Sequence, residues 1–150
     1  MRPRILLHLA ALVLPLAAAV GTMAALTGSE VFSPERLADL LRIVAPPVVA
    51  AQIAAALGAR WLLRPTPSIW LRPLAIGFGM ALLTHILFGP LLVLSLRFGG
   101  ERLGNDVAYS SLVFSVASAA LVGWLSAPLT MAVSVLADRL RRRELDRAAA

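Results

Sequence analysis

Four long segments without a charged residue constrain this chain more than any other feature of its sequence. They cover residues 5–27, 43–59, 73–96 and 107–137. A helix needs roughly 20 apolar residues to cross the hydrocarbon core of a bilayer. Three segments reach that length, and the second reaches it if the apolar residues 61–63 are added. Because the chain is also 59% hydrophobic and only 15% charged, we expect an integral membrane protein.

The segments predict an all-α fold, a single transmembrane domain over residues 1–150 in which four helices form a bundle. The predicted spans cover about 5–27, 46–63, 73–96 and 107–130, and a basic tail follows at about 138–150. The basic start and the first apolar segment also resemble a secretory signal peptide. That segment is long for a signal peptide, so we expect a retained helix.

The basic residues, all of them arginine, indicate the orientation of the spans. If the four spans alternate in direction, ten of the 14 arginines fall on the side that holds both termini. Cytoplasmic loops carry an excess of basic residues, so both termini are predicted to be cytoplasmic. Abundant arginine and alanine without lysine are typical of a GC-rich bacterial genome, which favours the bacterial inner membrane. The net charge of +6 could suggest a nucleic-acid partner. Because the arginines flank the spans, we interpret them as topology signals and expect no such partner.

The C-terminal basic cluster is predicted to contact the lipid bilayer. Its arginines would attract anionic headgroups by about 1 kcal/mol each near the surface. The alternative is a solvated stop signal after the last span. The residues concerned are Arg139, Arg141, Arg142 and Arg143.

The segment before the second span favours a short helix of its own. Ser33 is a suitable N-cap, Pro34 suits the first helical position, and the apolar residues of 37–44 fall on one face. Pro46 and Pro47 then interrupt the backbone hydrogen bonding. We predict a short outer amphipathic helix, then a bend, then the second span. The alternative is one long kinked helix.

A histidine in the third segment is the leading candidate for a functional side chain. Gly77, Ala81, His85 and Gly89 recur every four residues, which is the spacing of a face suited to close helix contact. His85 is therefore predicted to point into the bundle, where an ionisable residue is a functional candidate. In the fourth segment, serines and a threonine lie near one stripe, namely Ser111, Ser115, Ser118, Ser126, Thr130 and Ser134.

The candidate intramembrane polar site comprises His85, Gln52, Ser111, Ser115 and Ser118. The alternative is structural, with a neutral His85 bonded to a serine, to Gln52 or to a carbonyl freed by a proline. Because histidine loses its charge easily near neutral pH, its burial costs less than that of a carboxylate.

The sequence offers little for catalysis. It contains no cysteine, and no span contains an acid, so no metal site and no cofactor are predicted. No Ser-His-Asp set or glycine-rich phosphate loop is recognisable, so we do not expect an enzyme. We predict a non-catalytic accessory or structural subunit of a larger membrane complex, with a membrane-protein partner or as a homo-oligomer. The alternative is a small oligomeric transporter or channel, with a path lined by His85, Gln52 and the stripe Ser111, Ser115 and Ser118.

Overall fold

The computed structural model describes residues 2–27, 34–64, 71–101 and 106–149. These residues form four α-helices and, within those ranges, no strand. The helices are α1 (Pro3–Thr27), α2 (Pro34–Leu62), α3 (Leu71–Phe98) and α4 (Val107–Ala149). All four are long and apolar enough to cross a membrane. The prediction of an all-α protein with four such helices is therefore confirmed.

Local signals define the end of α3 and the start of α4. Gly100 has a φ of 86°, a left-handed conformation that glycine adopts without a steric cost. The amide of Glu101 then donates to the carbonyl of Leu96 at 3.1 Å, a bond that closes a Schellman motif. At the start of α4, the Asp106 carboxylate accepts a hydrogen bond from the amide of Tyr109 at 2.8 Å. It thereby caps a free amide of the first turn.

The prediction of a separate outer amphipathic helix is wrong, because α2 continues through Pro46 and Pro47 without interruption. Pro46 has no amide to donate to the carbonyl four residues earlier, that of Arg42. The hydroxyl of Ser95 on α3 donates to this carbonyl instead, at 2.9 Å. A neighbouring helix thus satisfies the freed group, which allows the helix to continue. The predicted N-cap, Ser33, lies outside the described residues.

The last helix is much longer than the predicted fourth span. α4 contains 43 residues, which gives a length of about 64 Å at about 1.5 Å per residue. That is about twice the hydrocarbon thickness of a bilayer. The predicted basic tail is therefore a direct continuation of α4 through residue 149.

The helices pack as a ring of unequal contacts. α3 and α4 share the most extensive interface, followed by α2 with α3 and α1 with α2, and the interface of α1 with α4 is the smallest of these four. At the end that carries the termini, one buried cluster joins all four helices; its members are Leu7, Ala54, Ala55, Ala59, Leu62, Met80 and Ala137. At the opposite end, Leu40 and Val44 of α2 pack against apolar residues of α1. Among the described residues, the larger buried cluster thus lies at the end of the termini.

Glycines bring α3 and α4 into close backbone contact. A Cβ added to Gly89 would lie 2.0 Å from the carbonyl oxygen of Ser111, and one added to Gly77 would lie 2.6 Å from the Cα of Met131. Only glycine permits this approach at either point. Gly77, Ala81, His85 and Gly89 are all buried. We call this set the α3 seam, and its predicted role in helix contact is confirmed.

Candidate functional site

His85 is buried on the α3 seam, with 7% of its surface exposed. Its Nδ1 lies 2.6 Å from the hydroxyl oxygen of Ser118, and its Nε2 lies 2.8 Å from that of Ser126. Both serines belong to α4, so the ring bridges two turns of the neighbouring helix. The prediction that His85 points into the bundle is confirmed. We call His85, Ser118 and Ser126 the histidine cluster.

The partners of the cluster indicate where its protons lie. The Ser126 hydroxyl also donates to the carbonyl of Gly123, at 3.4 Å, and a neutral imidazole has one donor and one acceptor nitrogen. When that hydroxyl proton is directed at Gly123, Ser126 accepts from an Nε2–H of His85. Nδ1 then accepts from the hydroxyl of Ser118. Both ring nitrogens are therefore bonded within the protein.

Ser111 and Ser115 also lie against the α3 seam, but they contact its backbone and not His85. The hydroxyl of Ser115 donates to the carbonyl of Ile86 at 3.1 Å. This carbonyl is the one left without an intrahelical partner by Pro90, four residues further on. The backbone carbonyl of Ser111 lies directly against Gly89. The bond to a proline-freed carbonyl, considered above for His85, is thus made by Ser115.

Gln52 does not belong to the histidine cluster. Its Nε2 donates to the backbone carbonyl of His8 at 2.9 Å, and its Oε1 lies 2.8 Å from the Nδ1 of the same histidine. Because a carbonyl only accepts, the amide nitrogen must face it, so Oε1 accepts from an Nδ1–H of His8. Gln52 therefore connects α2 to α1. The five residues of the predicted polar site are thus not assembled at one place.

Two participants lay outside the predicted site. Ser126 lies on the serine stripe of α4 that the sequence shows. Its role depends on the ring of His85 on α3, which contacts α4 at two points two turns apart. His8 is conspicuous in the sequence as one of only two histidines. Its pairing with Gln52 joins residues 44 positions apart, which no local pattern could reveal.

A central cavity of about 540 Å³ lies between the four helices, and the histidine cluster forms part of its wall. The rest of the lining is mainly apolar. The other hydroxyls at the wall bond to their own helices, for example Thr84 to the carbonyl of Met80 and Thr130 to that of Ser126. The volume falls within the range of small-molecule pockets. The cavity is thus suited to an apolar group, with its polar wall atoms already bonded.

An ion-pair cluster lies in the basic end of α4, which is the segment predicted to contact lipid headgroups. Asp138 is buried and accepts from Arg141 Nη2 at 2.9 Å and from Arg142 Nε at 2.8 Å. Arg141 also donates to the backbone carbonyl of Arg64 at 3.1 Å. The carboxylate of Asp138 thus fixes two arginines, and one of them ties α4 to the end of α2.

The four arginines predicted to contact lipid headgroups are therefore not equivalent. Arg141 is buried, with 9% of its surface exposed. The Arg142 side chain is 46% exposed and pairs with Asp138. Arg139 and Arg143 are exposed. Headgroup contact stays a prediction, and exposure favours the last two residues.

The fold and these contacts define a broad class, a small helical bundle whose four helices are each able to cross a membrane. Within the described ranges, no group of three or more histidine or acidic residues is placed to hold a metal ion. No family model, curated protein or solved structure matches the chain.

Proposed function

We propose that this protein is a non-catalytic accessory subunit of a larger membrane complex. One observation carries the proposal: four of the five side chains of the predicted site bond one helix to another. Ser118 bonds to His85, Ser115 satisfies a backbone carbonyl of α3, and Gln52 bonds to α1. These groups therefore support a packed scaffold better than a hydrated path. The proposed location is the bacterial inner membrane, with both termini in the cytoplasm.

The exposed apolar surface is consistent with a protein partner. Only 6% of the most apolar stretch of α1 is buried, and none of that of α4. Large side chains such as Leu121 and Trp124 are more than 70% exposed. Membrane helices associate by close packing and interhelical hydrogen bonds. The exposed faces of α1 and α4 are thus open to contacts with lipid or with helices of a partner.

Native mass spectrometry after gentle extraction from native membranes tests the accessory role. A second protein present in a fixed ratio is the expected result. A self-contained dimer or higher oligomer without a partner would instead favour the transporter.

Cysteine labelling tests for a water-filled path, and the chain needs no background mutations because it contains no cysteine. For a sealed bundle, cysteines at Ser115 and Ser118 should resist a polar thiol reagent in native membranes, because the reagent must reach them through water. Cysteines at the exposed residues Glu101 and Asp146 are matched controls. With an impermeant reagent, intact cells should label only the first control, and permeabilised cells both. Rapid labelling at Ser115 or Ser118 would argue against the sealed bundle.

A small oligomeric transporter or channel is the second candidate, because the central cavity reaches the histidine cluster. The variant His85→Leu separates the two roles. An accessory subunit should keep its partner in pull-downs from membranes, whereas a transporter should lose or change the pH dependence of its flux.

A further inference from the structure

A second cavity lies at the end that carries the termini, and the proposed function gives no role to the arginines that line it. It measures about 520 Å³ and lies between the start of α1 and the basic part of α4. Arg2, Arg4 and Arg141 line it, together with the single acid Glu144. Three arginines from two distant parts of the chain thus line one cavity. We call it the arginine cavity.

Arg141 is the fixed element of the arginine cavity. Asp138 and the carbonyl of Arg64 hold two of its nitrogens in place. A guanidinium has five N–H donors, so these two bonds leave further donors on its terminal nitrogens, whereas its Nε is buried. Arg2 and Arg4 are exposed on the opposite side. The site therefore combines one preorganised cation with two that are free to adjust.

The wall of the arginine cavity also has an apolar part, which includes Ile5 and Leu63. A phosphate suits the guanidinium groups, since arginine binds phosphate oxygens through paired hydrogen bonds. The apolar wall suits the glycerol and first methylenes of a lipid. Basic pockets between membrane helices are known to hold anionic headgroups.

We propose that the arginine cavity binds the phosphate group of an anionic phospholipid. The bound phosphate connects Arg2 and Arg4 of the α1 end to Arg141 of α4. It thereby reinforces the least extensive of the four main helix interfaces. The proposal is independent of the accessory role, because it concerns only how the chain meets its bilayer. It also differs from general attraction to the exposed arginines of the tail, because it requires one defined cavity.

The test compares lipid binding by the purified full chain in a neutral detergent. Phosphatidylglycerol, phosphatidylcholine and inorganic phosphate are titrated separately, with binding followed by native mass spectrometry and thermal melting. The test variant is Arg2→Gln/Arg4→Gln. The matched control is Arg97→Gln/Arg147→Gln, which removes the same charge from two exposed positions outside both the cavity and the predicted headgroup-contact set. Because all four side chains are exposed, we expect both variants to melt like the parent protein without lipid. The single variant Arg4→Gln serves if the double variant does not fold.

The parent protein should bind phosphatidylglycerol more tightly than phosphatidylcholine. Loss of Arg2 and Arg4 should weaken phosphatidylglycerol binding at least about tenfold, as expected for the loss of charge-assisted hydrogen bonds. The control should stay within about twofold. If inorganic phosphate alone stabilises the protein, and if this effect also depends on Arg2 and Arg4, the cavity is a phosphate site whose ligand is the free anion and not a lipid headgroup. Equal losses in the two double variants, or equal binding of the two lipids by the parent protein, would overturn the proposal.

Discussion

Replacement of Gly89 by alanine should open the tightest contact between α3 and α4. The new Cβ would lie 2.0 Å from the carbonyl oxygen of Ser111 and 2.3 Å from the hydroxyl oxygen of Ser115, whereas ordinary contact begins near 3.4 Å. The helices must therefore separate here by about 1.4 Å, since repulsion rises steeply below contact distance. Such a shift also stretches the bond from Ser115 to the carbonyl of Ile86, now 3.1 Å. Overpacking costs about 1–3 kcal/mol, and an interhelical hydrogen bond in a membrane contributes about 0.6–1.7 kcal/mol.

The expected loss in the free energy of unfolding is thus about 2–5 kcal/mol. Equilibrium unfolding in mixed micelles of a mild detergent and dodecyl sulfate measures it. Gly79→Ala is the matched control, because Gly79 lies on the same helix and a Cβ there meets nothing within 4 Å. The control should be unchanged or more stable by up to about 1 kcal/mol, from helix propensity. If the two variants prove equally stable, the close approach of α3 and α4 at Gly89 is wrong.

Three further variants test individual polar contacts by the same unfolding assay. Ser95→Ala leaves a proline-freed carbonyl of α2 unbonded and should cost about 0.6–1.7 kcal/mol; no change would mean that the carbonyl has another partner. Gln52→Leu breaks both bonds between α2 and α1 and should cost about 1–2 kcal/mol, and an unaltered midpoint would contradict that bridge. Asp138→Asn weakens the hold on the buried Arg141 and should cost about 1.5–3 kcal/mol. The exposed Asp146→Asn, on the same helix, should leave the midpoint unchanged, and equal effects of the two would refute a special role for Asp138.

The helices and the contact face of α3 were predictable because they follow from local patterns. Long charge-free segments leave the backbone no option in lipid except to bond within a helix or a closed barrel. The four-residue spacing of Gly77, Ala81, His85 and Gly89 places them on one face, and that face is buried against α4. In both cases the physical cause acts within one segment of the chain.

The assembly of the polar site was not predictable, because it depends on which helices become neighbours. The sequence favours a common site for His85 and Gln52, but these side chains bond to α4 and α1 respectively. The prediction that a short outer helix ends before Pro46 was wrong for a related reason. A proline's effect on its helix depends on whether another helix can satisfy the freed carbonyl, and Ser95, 53 residues from the Arg42 carbonyl, does so.

The prolines and serines of this chain are best understood together. Pro46 and Pro90 each remove an intrahelical bond, and in each case a serine hydroxyl from the next helix bonds the carbonyl that is left. A hydroxyl that bonds a carbonyl of its own helix does not connect two helices. A hydroxyl that bonds a freed carbonyl of another helix does, and apolar surroundings make the unpaired alternative expensive. Residues that would end a helix in water thus become the points at which helices are joined. Two of the five prolines inside the described helices are used in this way, one between α2 and α3 and one between α3 and α4.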